Sequence, residues 1–287
     1  MELSEARGKL VAVGGAEDKE GDCVILKEFV RLAGGEKARV VVMTVASDYP
    51  QELGAEYRKV FKRLGAGDVK VLDVSQREDT KSEKAMKALE EATAVYFTGG
   101  DQLHITALLG GTEMDRLIKR RHGKGLLLGG TSAGAAMMSN SMLLGGDGEC
   151  NPRSGAVEIG PGMDFVVGAV IDTHFSQRGR HGRLIAAVAH YPQELGLGLD
   201  EDTAIVVTGD EFEVNGSGAV NVEGVETDIR GYAAGPHGLD RSWLADGRGL
   251  ALNQKTAAIL TSDQQRWRVA YQFLFPVIES DEGLGPE

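Results

Sequence analysis

Cysteine is scarce in this chain of 287 residues, where Cys23 and Cys150 are the only two. They form no Cys-x-x-Cys pair or other zinc-type spacing, and they are too few for the disulfide framework of a small secreted domain. The first residues also lack the cationic and then apolar stretches of a secretory signal. We therefore expect a cytoplasmic protein that needs neither a metal nor a cofactor.

Long apolar runs and an excess of basic residues are missing as well. No apolar stretch is long enough to cross a bilayer. The net charge is −12, whereas nucleic acids and anionic membranes are bound by basic surfaces. We therefore expect no membrane and no nucleic-acid partner, although an acidic chain tolerates a cationic substrate.

The first half of the sequence alternates short apolar stretches with amphipathic ones. Continuous apolar strands between helices indicate an α/β fold with a mostly parallel, flavodoxin-like sheet and helices on both faces. The predicted strands cover residues 10–13, 40–45, 69–74, 94–97 and 126–128. The predicted helices cover residues 22–32, 51–64 and 82–92, with two further pieces ending near residue 121.

The second half is less regular, but no linker or repeat divides it from the first, so we expect one domain over residues 1–287. Its glycine- and proline-containing segment 145–163 is predicted to be a long loop. Extra strands and hairpins are expected in the C-terminal part, with Asn215-Gly216 as a turn signal. The predictions for the second half are a strand at 166–171, a helix at 184–190, hairpins within 196–230, a strand at 267–275 and a frayed acidic tail at 279–287.

Ser132 stands in a setting that suits a nucleophile. It lies between Gly130 and Gly134, after an apolar strand and before a predicted helix, which is the Gly-x-Ser-x-Gly nucleophile elbow. The sharp turn strains the serine backbone and leaves little room for neighbouring side chains. The next amide, of Ala133, could then stabilise an oxyanion. The alternative is a glycine-rich turn in which the serine only caps a helix.

A nucleophilic serine needs a general base, and His174 is the best placed of six histidines. It directly follows an apolar strand, where a parallel sheet presents functional groups, and it lies in a dense polar cluster. His181 is the competitor, at the start of a helix beside two arginines. The remaining four lie in predicted helices or polar loops without catalytic neighbours, so we expect them to be surface or capping residues: His104, His122, His190 and His237.

Three consecutive acids, Asp200, Glu201 and Asp202, lie between two apolar segments. Such a cluster needs a reason, because like charges repel and desolvation is costly. Glu201 as the carboxylate that orients His174 would supply one. A hairpin turn whose acids are solvated is the alternative.

Arg178, Arg180 and Arg183 follow His174 and predict a site for carboxylates, because guanidinium groups pair with carboxylates in a bidentate way. Asp172 could neutralise one of them or bind a cationic part of a substrate. The alternative is a solvated basic helix start. A basic start opposes the helix dipole, which favours a function.

Taken in order, these motifs resemble those of the cyanophycinases, serine peptidases related to peptidase E whose fold is akin to class I glutamine amidotransferases. The resemblance runs from about residue 9 to residue 207 and adds little beyond residue 210. Glutamine is common in that family at the position that Thr173 holds here. The motifs are Gly99-Gly100-Asp101-Gln102, Gly130-Thr131-Ser132-Ala133-Gly134-Ala135, residues 172–184 with Asp172-Thr173-His174-Phe175, and residues 198–204 with Asp200-Glu201-Asp202.

The resemblance implies a homodimeric exopeptidase that hydrolyses cyanophycin, an arginine-substituted polyaspartate, to β-Asp-Arg dipeptides. It implies Ser132 as nucleophile, His174 as general base and Glu201 as orienting acid. Two alternatives stay open: a related peptidase acting on aspartyl or isoaspartyl dipeptides, and a non-catalytic binding module. The resemblance also implies an oxyanion hole at Ala133 and Gly100, and a substrate pocket with Gln102, Asp172, Thr173, Arg178, Arg180 and Arg183.

Overall fold

The computed structural model describes residues 8–146, 157–209, 211–224, 230–232, 256–261 and 268–270. Five parallel strands form the centre of its largest sheet, in the spatial order β3-β2-β4-β5-β1. These strands are β1 (Leu10–Val13), β2 (Arg39–Met43), β3 (Asp68–Leu72), β4 (Ala94–Phe97) and β5 (Leu127–Thr131). Each lies within a few residues of its predicted position.

Helices cover both faces of this sheet, as predicted. Along β2, Val40 and Val42 pack into one apolar core with the first two helices, whereas Val41 and Met43 pack into another with the next three. Alternate residues of a strand thus bury against opposite helical layers. The helices are α1 (Val24–Ala33), α2 (Pro50–Arg63), α3 (Glu83–Glu91), α4 (Gln102–Leu109) and α5 (Glu113–His122).

The described C-terminal strands extend the first sheet in antiparallel fashion and build a second one. The order β13-β15-β11-β10 continues the first sheet beyond β1, and the order β14-β12-β9-β8 forms the second. This confirms the extra β-elements predicted for this part. The strands are β8 (Ala169–Asp172), β9 (Leu195–Leu199), β10 (Thr203–Thr208), β11 (Glu211–Gly216), β12 (Ala219–Gly224), β13 (Arg230–Tyr232), β14 (Thr256–Thr261) and β15 (Arg268–Ala270).

The loop predicted for residues 145–163 is partly wrong. β6 (Ser141–Gly146) and β7 (Val157–Pro161) pair as antiparallel strands, and residues 147–156 lie outside the described part. Leu143 of β6 is fully buried beside Phe175, and Ile159 of β7 packs against the same cluster. The glycines and proline of this segment concealed its apolar alternation.

Two other predicted elements differ in their bounds. The strand predicted at 166–171 begins only at Ala169, because Val166 makes just an isolated bridge to Ser139. The helix predicted from residue 184 is α7 (His181–His190), one turn longer. Of the predicted strand 267–275, only β15 is described, and residue 267, residues 271–275 and the tail 279–287 lie outside the described residues. No helix in the described part is long and apolar enough to cross a membrane.

Candidate active site

Ser132 occupies the sharp turn that the sequence predicts. β5 ends at Thr131, the short helix α6 (Ala133–Ala136) begins one residue after the serine, and Ser132 has φ 52° and ψ −112°. This positive φ is a strained conformation for a residue with a side chain. The Ser132 amide donates to the Val13 carbonyl at 3.0 Å, which ties the turn to β1. The predicted strand–turn–helix is therefore confirmed.

The positions around the turn must be glycine, because neighbouring atoms leave no space for a side chain. A Cβ on Gly130 would lie 2.1 Å from the Gly134 carbonyl oxygen, and one on Gly134 would lie 2.3 Å from that of Phe97. A Cβ on Gly99 would lie 3.4 Å from that of Ser132, so the ends of β4 and β5 meet beside the serine. This matches the crevice expected at the carboxyl ends of parallel strands.

Two further glycines near the turn, Gly129 and Gly100, have different surroundings. A Cβ on Gly129 would lie 2.5 Å from the Phe29 ring, so this glycine faces the core between sheet and helices and not the crevice. Gly100 is exposed, with φ 140°, and has the Ala46 carbonyl so close that no side chain would fit. The backbone at Gly100, where we expect an oxyanion-hole amide, can therefore be adopted only by glycine.

Three side chains from distant parts of the sequence form one hydrogen-bonded chain. Nε2 of His174 lies 2.9 Å from Oγ of Ser132, and Nδ1 of His174 lies 2.6 Å from Oε1 of Glu201. The His174 side chain is 12% exposed and that of Glu201 37%. This is the serine–imidazole–carboxylate arrangement of a nucleophile, a base and an orienting acid.

The loop after β1 supports the imidazole, a role that sequence reasoning missed. The His174 amide donates to the Gly14 carbonyl at 2.7 Å, and His174 has a positive φ of 47°. A Cβ on Gly15 would lie 2.3 Å from Cε1 of His174, so the ring rests on bare backbone. The signal available was the Gly14-Gly15 pair directly after a predicted strand.

Each of the three acids between β9 and β10 has its own partners, so the solvated hairpin does not describe this turn. Buried Asp200 accepts the amides of Ser176 at 3.0 Å and Ala219 at 3.2 Å. Asp202 accepts the Asp18 amide at 2.9 Å and the Ser217 hydroxyl at 2.8 Å. The flanking acids fix the turn from which Glu201 reaches the imidazole.

Asp172 holds two of the three predicted arginines. It is 1% exposed, and both Nε and Nη2 of Arg183 donate to its carboxylate, with Nε at 2.6 Å. Nη1 of Arg180 lies 3.3 Å from Asp172 and 2.6 Å from the Thr173 carbonyl oxygen. Burial lowers the pKa of Arg180 to about 10, and the nearby Arg183 and Arg178 act in the same direction against the attraction of Asp172.

The other predicted pocket residues are placed differently from one another. Arg178 is exposed, whereas Thr173 is buried, with its amide on the Asp172 carboxylate at 2.8 Å. Gln102 is half-buried and donates through Nε2 to the Leu143 carbonyl at 2.8 Å. His181, the competing base, packs edge-on against the Phe175 ring at 4.5 Å between centroids. Contact of the pocket residues with a substrate stays a prediction.

Comparison with known proteins agrees with this geometry. The profile of Peptidase family S51 matches residues 10–215. The cyanophycinase of Geminocystis herdmanii is 38% identical over 218 residues, which are 75% of this chain and 80% of that protein. The cyanophycinase of Trichormus variabilis is 39% identical over 215 residues, 74% of this chain and 72% of that one.

A solved structure shares the fold. The crystal structure of a peptidase from an acI-B1 actinobacterium superposes with a TM-score of 0.60 at 22% identity, covering 76% of this chain and 91% of that one. At this identity the likeness concerns the fold alone. The family match and the two curated relatives go further: the chain belongs to Peptidase family S51.

Proposed function

We propose that this serine peptidase hydrolyses cyanophycin from a chain end and releases β-Asp-Arg dipeptides. The observation that carries the proposal is the contact of Ser132, His174 and Glu201 in a chain of this family. The names of its curated relatives supply the substrate. Cyanophycin is nearly charge-balanced, so a protein of net charge −12 need not repel it.

The geometry supports a covalent route through Ser132. Glu201 accepts the Nδ1 proton of His174, which leaves Nε2 free to take the proton of the serine hydroxyl. Oγ then attacks a backbone carbonyl carbon of the polymer, and the imidazolium returns the proton to the amine that leaves. Water, deprotonated by the same imidazole, attacks the ester and restores the free serine.

The oxyanion of each tetrahedral intermediate needs donors beside Ser132. We assign this role to the Ala133 amide, at the start of α6, and to the amide of Gly100. Gly99, the neighbour of Gly100, lies beside Ser132, and this nearness supports the assignment. Backbone amides held by strand ends need no reorganisation when charge develops, which is what makes such donors effective.

Charge decides how the pocket would bind a β-Asp-Arg unit. Asp172 already has Arg183 and Arg180 as partners, so we assign it to orienting Arg180. Arg180 and exposed Arg178 are then the cations left to meet substrate carboxylates. Asp200 and Asp202 already hold backbone amides, so we assign the substrate guanidinium to the partly exposed Glu201. We assign the walls of the pocket to Gln102 and Thr173.

The decisive experiment incubates the protein with insoluble cyanophycin and follows the products by mass spectrometry. We expect β-Asp-Arg without longer oligomers, and no product from Ser132→Ala, which should keep the fold. Residual turnover above about a ten-thousandth of wild type would require another nucleophile. Cleavage of isoaspartyl dipeptides but not of the polymer would favour the dipeptidase instead, and labelling of Ser132 by a phosphonate would exclude a non-catalytic module.

We further propose a cytoplasmic homodimer. Cys23, the free cysteine of the described part, is buried and suits a reducing compartment. Light scattering coupled to gel filtration tests the dimer, and a mass of about 30.5 kDa would show a monomer instead.

A further inference from the structure

Glu17 is a buried carboxylate directly behind the nucleophile strand. It is 4% exposed, and three hydroxyl groups point at its two oxygens. Oη of Tyr57 and Oη of Tyr96 donate to Oε1 at 2.5 and 2.9 Å, and Oγ1 of Thr131 donates to Oε2 at 2.6 Å. Neither the triad nor the proposed substrate pocket includes Glu17.

Aromatic rings pack around the two tyrosines that bind Glu17. Phe29 and Phe61 pack against the two tyrosines, with ring centroids 5.0 to 5.8 Å apart. Burial raises the pKa of both tyrosine hydroxyls well above the usual value, and the Glu17 charge adds to this, so both hydroxyls keep the protons that they donate. A buried carboxylate need not stabilise the fold, because apolar residues can often replace buried charged groups without lowering the free energy of unfolding.

The partner of Oε2 suggests a different role. Thr131 is the last residue of β5 and precedes Ser132, whose φ of 52° is strained. Thr131 also pairs with Val13 of β1, four residues before Glu17. The hydrogen bond from Thr131 to Glu17 therefore fixes the residue from which the strained turn starts. Strained residues persist only where their surroundings over-determine them.

The same loop, residues 14–18, also binds His174 and the residue that follows Glu201. The Gly14 carbonyl accepts the His174 amide, and the Gly15 carbonyl accepts the Asp202 amide at 2.8 Å. The Asp18 amide binds the Asp202 carboxylate, beside Glu201. Glu17 therefore links β5 to a loop that also binds His174 and Asp202, the neighbour of Glu201.

We propose that Glu17 is a positioning residue for the nucleophile. Through Thr131 it holds the strained Ser132 backbone so that Oγ stays within proton-transfer distance of His174 Nε2. This inference rests on the proposed function of Ser132. Small misplacements of reacting groups are costly, since a shift of about 1 Å can reduce a rate about a hundredfold.

Two substitutions break the link from opposite sides. Glu17→Gln keeps the volume but offers one acceptor oxygen fewer, and Thr131→Val removes the hydroxyl. For both we expect kcat to fall about tenfold to a hundredfold, with KM changed less than about twofold. Because both break one link, the double variant should be hardly worse than the poorer single one. Thr131→Ser, which retains a hydroxyl, should keep most of the activity.

A second readout does not depend on the substrate. The rate constant for inactivation by a phosphonate measures the nucleophilicity of Ser132 in folded molecules, and it should fall in parallel with kcat. Glu194→Gln is the matched control: this carboxylate is 7% exposed, accepts the Ser141 hydroxyl at 2.8 Å and precedes β9, at the end of that strand opposite Glu201. We expect it to change neither rate per folded molecule.

The outcomes separate the two proposals. If the phosphonate does not label Ser132 in the wild type, the proposed nucleophile fails and this inference fails with it. If the wild type is labelled and Glu17→Gln reacts equally fast, only the inference about Glu17 is overturned. Should Glu17→Gln fail to fold, the comparison of Thr131→Val with Thr131→Ser decides, and equal rates for these two would overturn it.

Discussion

Gly15 lies against the imidazole of His174, with no space between them for a methyl group. A Cβ on Gly15 would come within 2.3 Å of Cε1 and 2.4 Å of Nε2, and the φ of 103° at this position is one that residues with side chains rarely adopt. His174 Nε2 can therefore lie opposite Ser132 only because residue 15, in the loop after β1, has no side chain.

Gly15→Ala tests this relationship. We expect the methyl group to displace the imidazole and to reduce kcat at least about a hundredfold, because the general base loses its alignment. Gly35→Ala is a suitable control, since Gly35 also has a positive φ but has open space around it. The substitution at Gly35 should leave kcat unchanged. Steady-state kinetics measure both variants. Equal activity of Gly15→Ala and Gly35→Ala would contradict the expectation.

Glu201→Gln removes the charge that faces Nδ1 of His174. The amide no longer stabilises the imidazolium and can favour the wrong tautomer, so kcat should fall about a hundredfold to ten-thousandfold. Glu83→Gln, an equal charge change at the exposed start of α3, serves as control. A variant at Glu201 with wild-type turnover would remove this residue from the triad.

Arg183 and Arg180 share Asp172 but should respond differently to substitution. Arg183→Gln removes the bidentate partner of a fully buried carboxylate and should lower the free energy of unfolding by about 3 kcal/mol. Arg180→Gln leaves Asp172 paired with Arg183 and should instead raise KM for carboxylate-bearing substrates about tenfold or more. Urea unfolding and steady-state kinetics on both variants test the distinction. Unchanged kinetics for the Arg180 variant would place it outside the pocket.

Asp18 gives a pH-dependent prediction. Backbone amides of Cys23, Gly21 and Glu20 donate to its carboxylate and lower its pKa from 3.8 to about 2. The folded state is stabilised by this carboxylate above pH 3.8 and loses that contribution as the pH falls through about 2.

Asp18→Asn should accordingly lower Tm near pH 6, and the difference from wild type should shrink between about pH 4 and pH 2. Thermal unfolding followed by circular dichroism measures this. The neighbouring Asp22→Asn controls for the loss of one negative charge from the same loop. A Tm difference for Asp18→Asn that did not change down to pH 2 would contradict the assigned cause.

The features that could be predicted are local ones. The parallel strands follow from short apolar runs, and the turn at Ser132 follows from two glycines between an apolar strand and small residues. His174 and Glu201 could be nominated because each stands next to the end of an apolar strand. The hairpin of β6 and β7 escaped because strands this short, rich in glycine, leave almost no periodic signal.

Contacts between distant segments could not be predicted. The sequence predicts that Asp172 could neutralise one of three arginines but not which one, and the fold gives it Arg183 as bidentate partner and Arg180 as a second. Glu17 gave no signal, because its donors come from three separate elements, and a lone acid after a glycine pair looks like a surface residue.

The sequence by itself therefore determined which residues can carry the chemistry, since residue type and strand–turn–helix order are encoded within short stretches. Only the tertiary structure decided which of them meet. Ser132, His174 and Glu201 are joined by hydrogen bonds that span 42 and 27 residues of chain. Such contacts form when the carboxyl ends of strands from two sheets are brought together, and it is the packing of the apolar core shared by these sheets, not any local pattern, that brings them there.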